Sequence, residues 1–211
     1  MGHQATTSRT SRGAMRIGPE DHGRAFSLAE WSRSIETPGY IYEIIDGALV
    51  VSPNPAPSHD YWVQIVEEEL RAYAAENPKS INWITERCDV VVPGRAGETR
   101  PQPDLAAFRN YPRQPPKSWD EVCPIVVVEV ISARRGAKDI TRNRHLYWLA
   151  GGIREYWVID PSKSQRRPTL IAHVRGRGSK EWRRSIVPFD KNYESPTLGG
   201  FALNLQQASK R

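Results

Sequence analysis

The stretch Ile125-Val-Val-Val-Glu-Val-Ile131 sets six aliphatic residues around a single carboxylate. β-Branched side chains favour extended backbone, and apolar residues at both odd and even positions require cover on both faces of a strand. Such a strand lies inside a sheet with helices on either side. Glu129 therefore falls where an unpaired charge is costly, so it needs a cation, a hydrogen-bond network or a metal ion. A structural ion pair, or a strand end near solvent, would meet that need without any chemistry.

Upstream, Arg100-Pro-Gln-Pro103 sets an extended approach to Asp104, which opens a predicted strand over Leu105–Phe108. An Asp after Pro is also ordinary turn chemistry. Together, Asp104 and Glu129 converging from neighbouring strands make an oxygen-rich site suited to Mg2+ or Mn2+. Downstream, Asp139 can cap a helix reaching Ala150, where Gly151-Gly152 ends it. Ile140, Leu146, Tyr147 and Ala150 form its apolar stripe. Asn143 lies on that stripe, three after Ile140 and four before Tyr147. A polar residue there is either hydrogen-bonded structure or part of a site lining.

Further out, Tyr40–Ile45 and residues 48–52 flank Asp46-Gly47, the two-residue turn that hairpins favour. Glu43 shares a strand face with Ile41 and Ile45, as a half-exposed residue or as a further acid beside the metal. Trp62, Ile65, Val66, Leu70, Tyr73 and Ala74 recur at three and four, predicting an amphipathic helix that Asn77-Pro78 stops. His59 at its start reads as fixing the loop rather than as catalysis, and His145 as surface. Ser27-Leu-Ala-Glu30 is a capping box for a helix from Leu28 to about residue 35. More strands are predicted at 81–86, 89–92 and 155–160, two more across 167–189, and an extended closing piece at 198–205. The order predicts one α/β (α+β) domain with a mixed sheet flanked by helices and an N-terminal hairpin. Residues 1–25 read as a flexible leader, 26–206 as the domain and 207–211 as a short tail.

With 211 residues the chain can bury a core without disulfides, and 38% hydrophobic residues with seven tryptophans oppose wholesale disorder. Cys88 and Cys123 alone can form neither a disulfide framework nor a structural zinc site. No apolar run approaches the ~20 residues of a membrane span. Residues 1–25 lack the apolar core of a signal peptide, so a cytoplasmic location is expected. There is no Gly-rich phosphate loop, H-E-x-x-H or G-x-S-x-G, which argues against nucleoside triphosphate enzymes, metalloproteases and common hydrolases.

The net charge is +6, but it is concentrated. Lys163, Arg166, Arg167, Arg175, Arg177, Lys180, Arg183 and Arg184 face only Glu181 across their stretch. Arg134, Arg135, Lys138, Arg142 and Arg144 cluster around Asp139. Such clusters fit a polyanion such as nucleic acid, or form a solvated basic face.

Several of these segments, taken in order, resemble a known family. They are Tyr42-Glu-Ile-Ile-Asp-Gly47, Ser52-Pro-Asn-Pro55 with His59, Pro103-Asp-Leu105 and Val128-Glu-Val-Ile-Ser132, followed by Asp139 through Tyr147. Gly152-Ile-Arg-Glu-Tyr-Trp-Val-Ile-Asp-Pro161 and Ser195-Pro-Thr-Leu-Gly-Gly-Phe-Ala-Leu-Asn-Leu205 complete the set. Over roughly residues 27–206 the chain resembles the Uma family, bacterial proteins with a restriction-endonuclease-like fold. The resemblance implies the PD-(D/E)XK nuclease superfamily and metal-assisted hydrolysis of DNA phosphodiester bonds. It assigns Asp104 and Glu129 to one Mg2+ or Mn2+ ion and Glu43 to an auxiliary acidic role. Arg134, Arg135, Arg142 and Arg144 would hold the flanking phosphates.

One departure matters. The strict motif places a Lys two residues after Glu129, where this chain has Ile131. The family's alternative position, on the following helix four before the Tyr, is Asn143. Asn can bond a water but brings no charge. Lys138 near the helix start could supply one, while Arg142 and Arg144 lie about 100° around the helix to either side. The leading expectation is a Mg2+-dependent endonuclease acting as a homodimer, by analogy with the fold. The alternatives are a weakened member of the fold that binds nucleic acid without cutting, and an interaction module for an acidic protein partner.

Overall fold

The computed structural model describes residues 14–86, 88–132 and 137–211, and the side chains of these except at 137–140. In chain order the elements are β1 (Met15–Ile17), α1 (Leu28–Trp31), β2 (Ser34–Glu36), β3 (Tyr40–Ile45), β4 (Ala48–Pro53), α2 (Pro57–Glu76), β5 (Trp83–Thr85) and β6 (Leu105–Phe108). They continue with β7 (Val126–Val130), α3 (Ala137–Leu149), β8 (Glu155–Asp160), β9 (Thr169–Arg175), β10 (Trp182–Val187), β11 (Tyr193–Glu194), β12 (Ala202–Leu203) and α4 (Leu205–Ala208).

Six strands form one mixed sheet in the order β10-β9-β8-β7-β6-β5. β7 and β8 are parallel, joined by the α3 crossover, and the other neighbours are antiparallel. All five residues of β7 are buried, as a doubly covered strand requires. Val126, Val128 and Val130 join the core under α2, with Trp62, Val66, Leu70 and the C-terminal Leu198 and Phe201. Val127 faces the second core, built from Leu146, Tyr147, Ala150 and the buried Cys88, Val90 and Val92. The mixed α+β architecture read from the sequence is the one observed.

The β3–β4 hairpin turns at Asp46 and Gly47, both at positive φ (53° and 75°), the pairing that matches strand twist. Arg95 and the Thr99 hydroxyl hold the Asp46 carboxylate. The hairpin meets the rest of the domain through the Arg100 N–H, which donates to Ile44 O at 2.6 Å.

Several expectations need correction. Of the segment read as a flexible leader, residues 1–13 lie outside the described residues, while 14–25 are built into the fold: β1 pairs in parallel with β2, and Ile17 is 1% exposed against Tyr42, Ile44 and Leu49. A three-residue strand leaves no period to detect. The first helix stops at Trp31 rather than near residue 35, because Ser32, Arg33 and Ser34 side chains donate to the carbonyls of Ala29 and Glu30 and close it. Residues 89–92 run extended but bond to the irregular 99–101 segment, through the Val90 and Val92 N–H groups, instead of joining the sheet. The C-terminal residues are anchored: Ala208 is buried and Arg211 pairs with Glu69 at 2.7 Å.

Candidate active site

The antiparallel β6–β7 register sets Leu105 against Val128, and the same register carries Asp104 opposite Glu129. Directly opposed residues point to one face of a sheet. The β-ladder stops at Leu105, and the Val130 N–H is taken up by the Asp104 side chain, donating to Oδ2 at 2.7 Å. The two prolines before Asp104 keep its segment extended at this edge.

Glu129 is 9% exposed, and two donors from α3 hold it. Asn143 Nδ2 donates to Oε1 at 2.9 Å and the Tyr147 hydroxyl to the same atom at 2.7 Å. Their spacing of four puts both side chains on the helix face that meets β7. Burial, then the charge and hydrogen bond of Glu129, hold the Tyr147 phenol protonated well above its ordinary pKa, so it stays a donor.

Asn143 in turn accepts from Arg142 Nε at 2.9 Å, and Arg142 Nη2 lies 3.4 Å from Glu43 Oε2. Glu43 is 4% exposed and also accepts the Gln102 N–H at 2.9 Å. One chain of contacts thus runs from β3 through Arg142 and Asn143 to Glu129. On the other side, His59 Nε2 lies 2.9 Å from Asp104 Oδ2 and Nδ1 3.2 Å from Asp60 Oδ1. Burial pulls the His59 pKa down, but the hydrogen bond and charge of Asp104, seconded by Asp60, outweigh it and raise the pKa.

A cleft of about 770 Å3 opens here, bordered by Glu43, His59, Glu129, Arg142, Asn143 and Tyr156. Asp104 borders an adjoining hollow of about 450 Å3, and His59 lines both. Two hard carboxylates on neighbouring strands suit Mg2+ or Mn2+, which bind through one or two carboxylates and keep several waters. Among the described residues no three His, Cys, Asp or Glu side chains gather closely enough to hold an ion alone.

The structure brings together Asp104, Glu129, Asn143, Glu43 and Arg142. Arg144 is exposed and does not border the cleft. Arg134, Arg135 and the side chain of Lys138 lie outside the described residues. His59, read from sequence as a loop anchor, touches Asp104 from 45 residues away, a contact no local pattern reveals. Tyr147 counted only as apolar stripe, although its spacing from Asn143 already put both on one face. Of the basic stretch, Arg175 is structural: it lies over the Trp148 and Trp182 rings and donates to the Tyr147, Trp148 and Ile153 carbonyls. Arg177, Lys180, Arg183 and Arg184 remain exposed along the β9–β10 hairpin.

The family model described as "Uma2: Putative restriction endonuclease" matches residues 28–206. A crystal structure described as "a putative nuclease belonging to DUF820 from Anabaena variabilis" superposes with a TM-score of 0.61 at 17% identity, covering 88% of this chain and 98% of that one. That likeness shows a shared fold. No curated protein matches the chain. No helix among the described residues is long and apolar enough to cross a membrane.

Proposed function

The chain belongs to the Uma2 family, and from that membership and the Asp104–Glu129 pair we propose that it is a metal-dependent endonuclease that hydrolyses DNA phosphodiester bonds. The observation that carries the reading is the β6–β7 register, which continued one residue past Leu105–Val128 sets Asp104 opposite Glu129, with Glu129 bordering the cleft and Asp104 the hollow beside it. In this reading Asp104 and Glu129 hold Mg2+ or Mn2+. When bound, the ion polarises a phosphoryl oxygen and lowers the pKa of its bound water.

The chain's own groups do the rest. Asn143 and Tyr147 fix the Glu129 carboxylate, while the Val130 N–H and His59 fix Asp104, so neither must reorganise as substrate enters. Arg142, held by Asn143 and Glu43, is the Lys or Arg side chain that borders the cleft among the described residues. It supplies the positive charge that Asn143 lacks, at the point where the transition state gathers negative charge. Glu43 then serves to place Arg142 rather than to bind the metal. Arg134, Arg135, Lys138 and Arg144 are assigned to the flanking phosphates, with the exposed β9–β10 arginines extending the contact. Cutting both strands of a duplex commonly takes two active sites, so the working unit in this reading is a homodimer, by analogy with the fold.

A second reading, binding without cleavage, is favoured by one observation. At the helix position where the resemblance expects a Lys, the side chain that touches Glu129 is the neutral amide of Asn143. The test is incubation of supercoiled plasmid with Mg2+, Mn2+ or chelator. Nicking that requires the ion supports the enzyme, and salt-dependent binding with no nicking in any metal supports the alternative.

A further inference from the structure

Tyr156 stands apart from the groups already assigned. It lies on β8, on the α3 side of the sheet, with its ring 5.1 Å from Tyr147 in an edge contact and stacked on His173 at 5.2 Å. The residue is 0% exposed, and its hydroxyl is buried with no hydrogen-bond partner among the described residues. Buried hydroxyls in folded proteins are nearly always bonded. The other buried phenol on this face, Tyr147, is bonded to Glu129. Yet Tyr156 borders the cleft beside Glu129 and Asn143. A Phe would fill the same apolar slot between Tyr147 and His173 without burying an oxygen.

We propose that the Tyr156 hydroxyl donates a hydrogen bond to a phosphate oxygen of the nucleic acid bound in the cleft, which makes it a catalytic residue rather than a core aromatic. The inference rests on the endonuclease reading for its substrate class. Burial, then the charges of Glu129 and Asp104, keep the phenol protonated far above its ordinary pKa, so it enters as a donor and never as an anion facing phosphate. It adds a neutral donor to the charge of Arg142, which lines the same cleft.

Tyr156→Phe removes only the oxygen. The experiment measures its thermal unfolding, its affinity for a fluorescein-labelled DNA duplex in Ca2+ at fixed salt, and plasmid nicking in Mg2+, beside wild type and Tyr147→Phe. Tyr156→Phe is expected to unfold at the same temperature as wild type or higher, to bind duplex at least fivefold more weakly and to nick about tenfold more slowly. Tyr147→Phe, which loses a made hydrogen bond, is expected to unfold at lower temperature. Duplex affinity within twofold of wild type for Tyr156→Phe would overturn the proposal, as would a lowered unfolding temperature with unchanged binding. A wild type that binds duplex but never nicks removes the endonuclease reading alone, because the affinity ratio still decides the role of Tyr156. A wild type with no duplex affinity overturns both.

Discussion

Asn143 donates its side-chain amide to Glu129 Oε1 over 2.9 Å while its own oxygen receives Arg142 Nε at 2.9 Å. The amide thus links a carboxylate to a guanidinium, and the positive charge of the cleft sits one residue from the position that meets Glu129. Charge in this site depends on where the guanidinium is held, and that can be tested by moving it.

Arg142→Ala should lower metal-dependent nicking by about 100-fold, the usual cost of losing one preorganised electrostatic stabiliser. Adding Asn143→Lys to that variant should restore at least tenfold, because the ammonium returns to the face that meets Glu129. Rates from plasmid nicking check both. No loss in Arg142→Ala would show that the guanidinium is only a scaffold for Glu43.

Tyr147→Phe removes one of the helix donors on Glu129. A hydrogen bond to a charged group contributes about 1.5–3 kcal/mol, so the unfolding temperature should fall by several degrees. Calorimetry at neutral pH checks it. An unchanged midpoint would mean that Glu129 finds another donor at once.

Glu155 is fully buried and accepts hydrogen bonds from Trp157 Nε1, the Tyr193 and Ser195 hydroxyls and the Thr197 N–H, at 2.6–2.8 Å. It ties the segment carrying β11 to the central sheet. Glu155→Gln turns an amide N–H2 toward groups that can only donate or must rearrange, and should cost about 2–4 kcal/mol. Hydrogen exchange should show residues 193–198 losing protection first. Equal exchange in wild type and variant would contradict this.

His173 is 2% exposed and stacks on Tyr156. Burial, helped by the nearby Arg144 and Arg184 charges, lowers its pKa to about 4. The unfolded chain binds a proton at the ordinary histidine pKa and the folded chain does not, so this residue makes stability fall as pH drops from about 6.5 to about 4. His173→Phe should flatten that part of the unfolding-temperature profile. Parallel profiles for wild type and variant would contradict it.

How much was legible in the sequence follows from the range of each interaction. The β7 run, the Asp46-Gly47 turn and the α2 stripe are local patterns, and each element formed where they put it. Asn143 was visible as a polar residue on an apolar face because helix geometry fixes that face within one turn. The contact of His59 with Asp104, and the guanidinium of Arg142 beside Glu43, join residues 45 and 99 positions apart. Neither leaves a trace in spacing. The packing of residues 15–17 was hidden for the opposite reason, since three residues are too few to show alternation.

The most direct measurement is nicking of supercoiled plasmid by wild type and Asp104→Asn in Mg2+, Mn2+ and chelator. Asn keeps an oxygen for the Val130 N–H, so the variant should fold while losing the carboxylate charge proposed to hold the ion. Wild type should nick only in Mg2+ or Mn2+, and Asp104→Asn should lose at least 1,000-fold, of the order seen when an essential catalytic group is removed. Nicking that survives in Asp104→Asn, or in chelator, would contradict it.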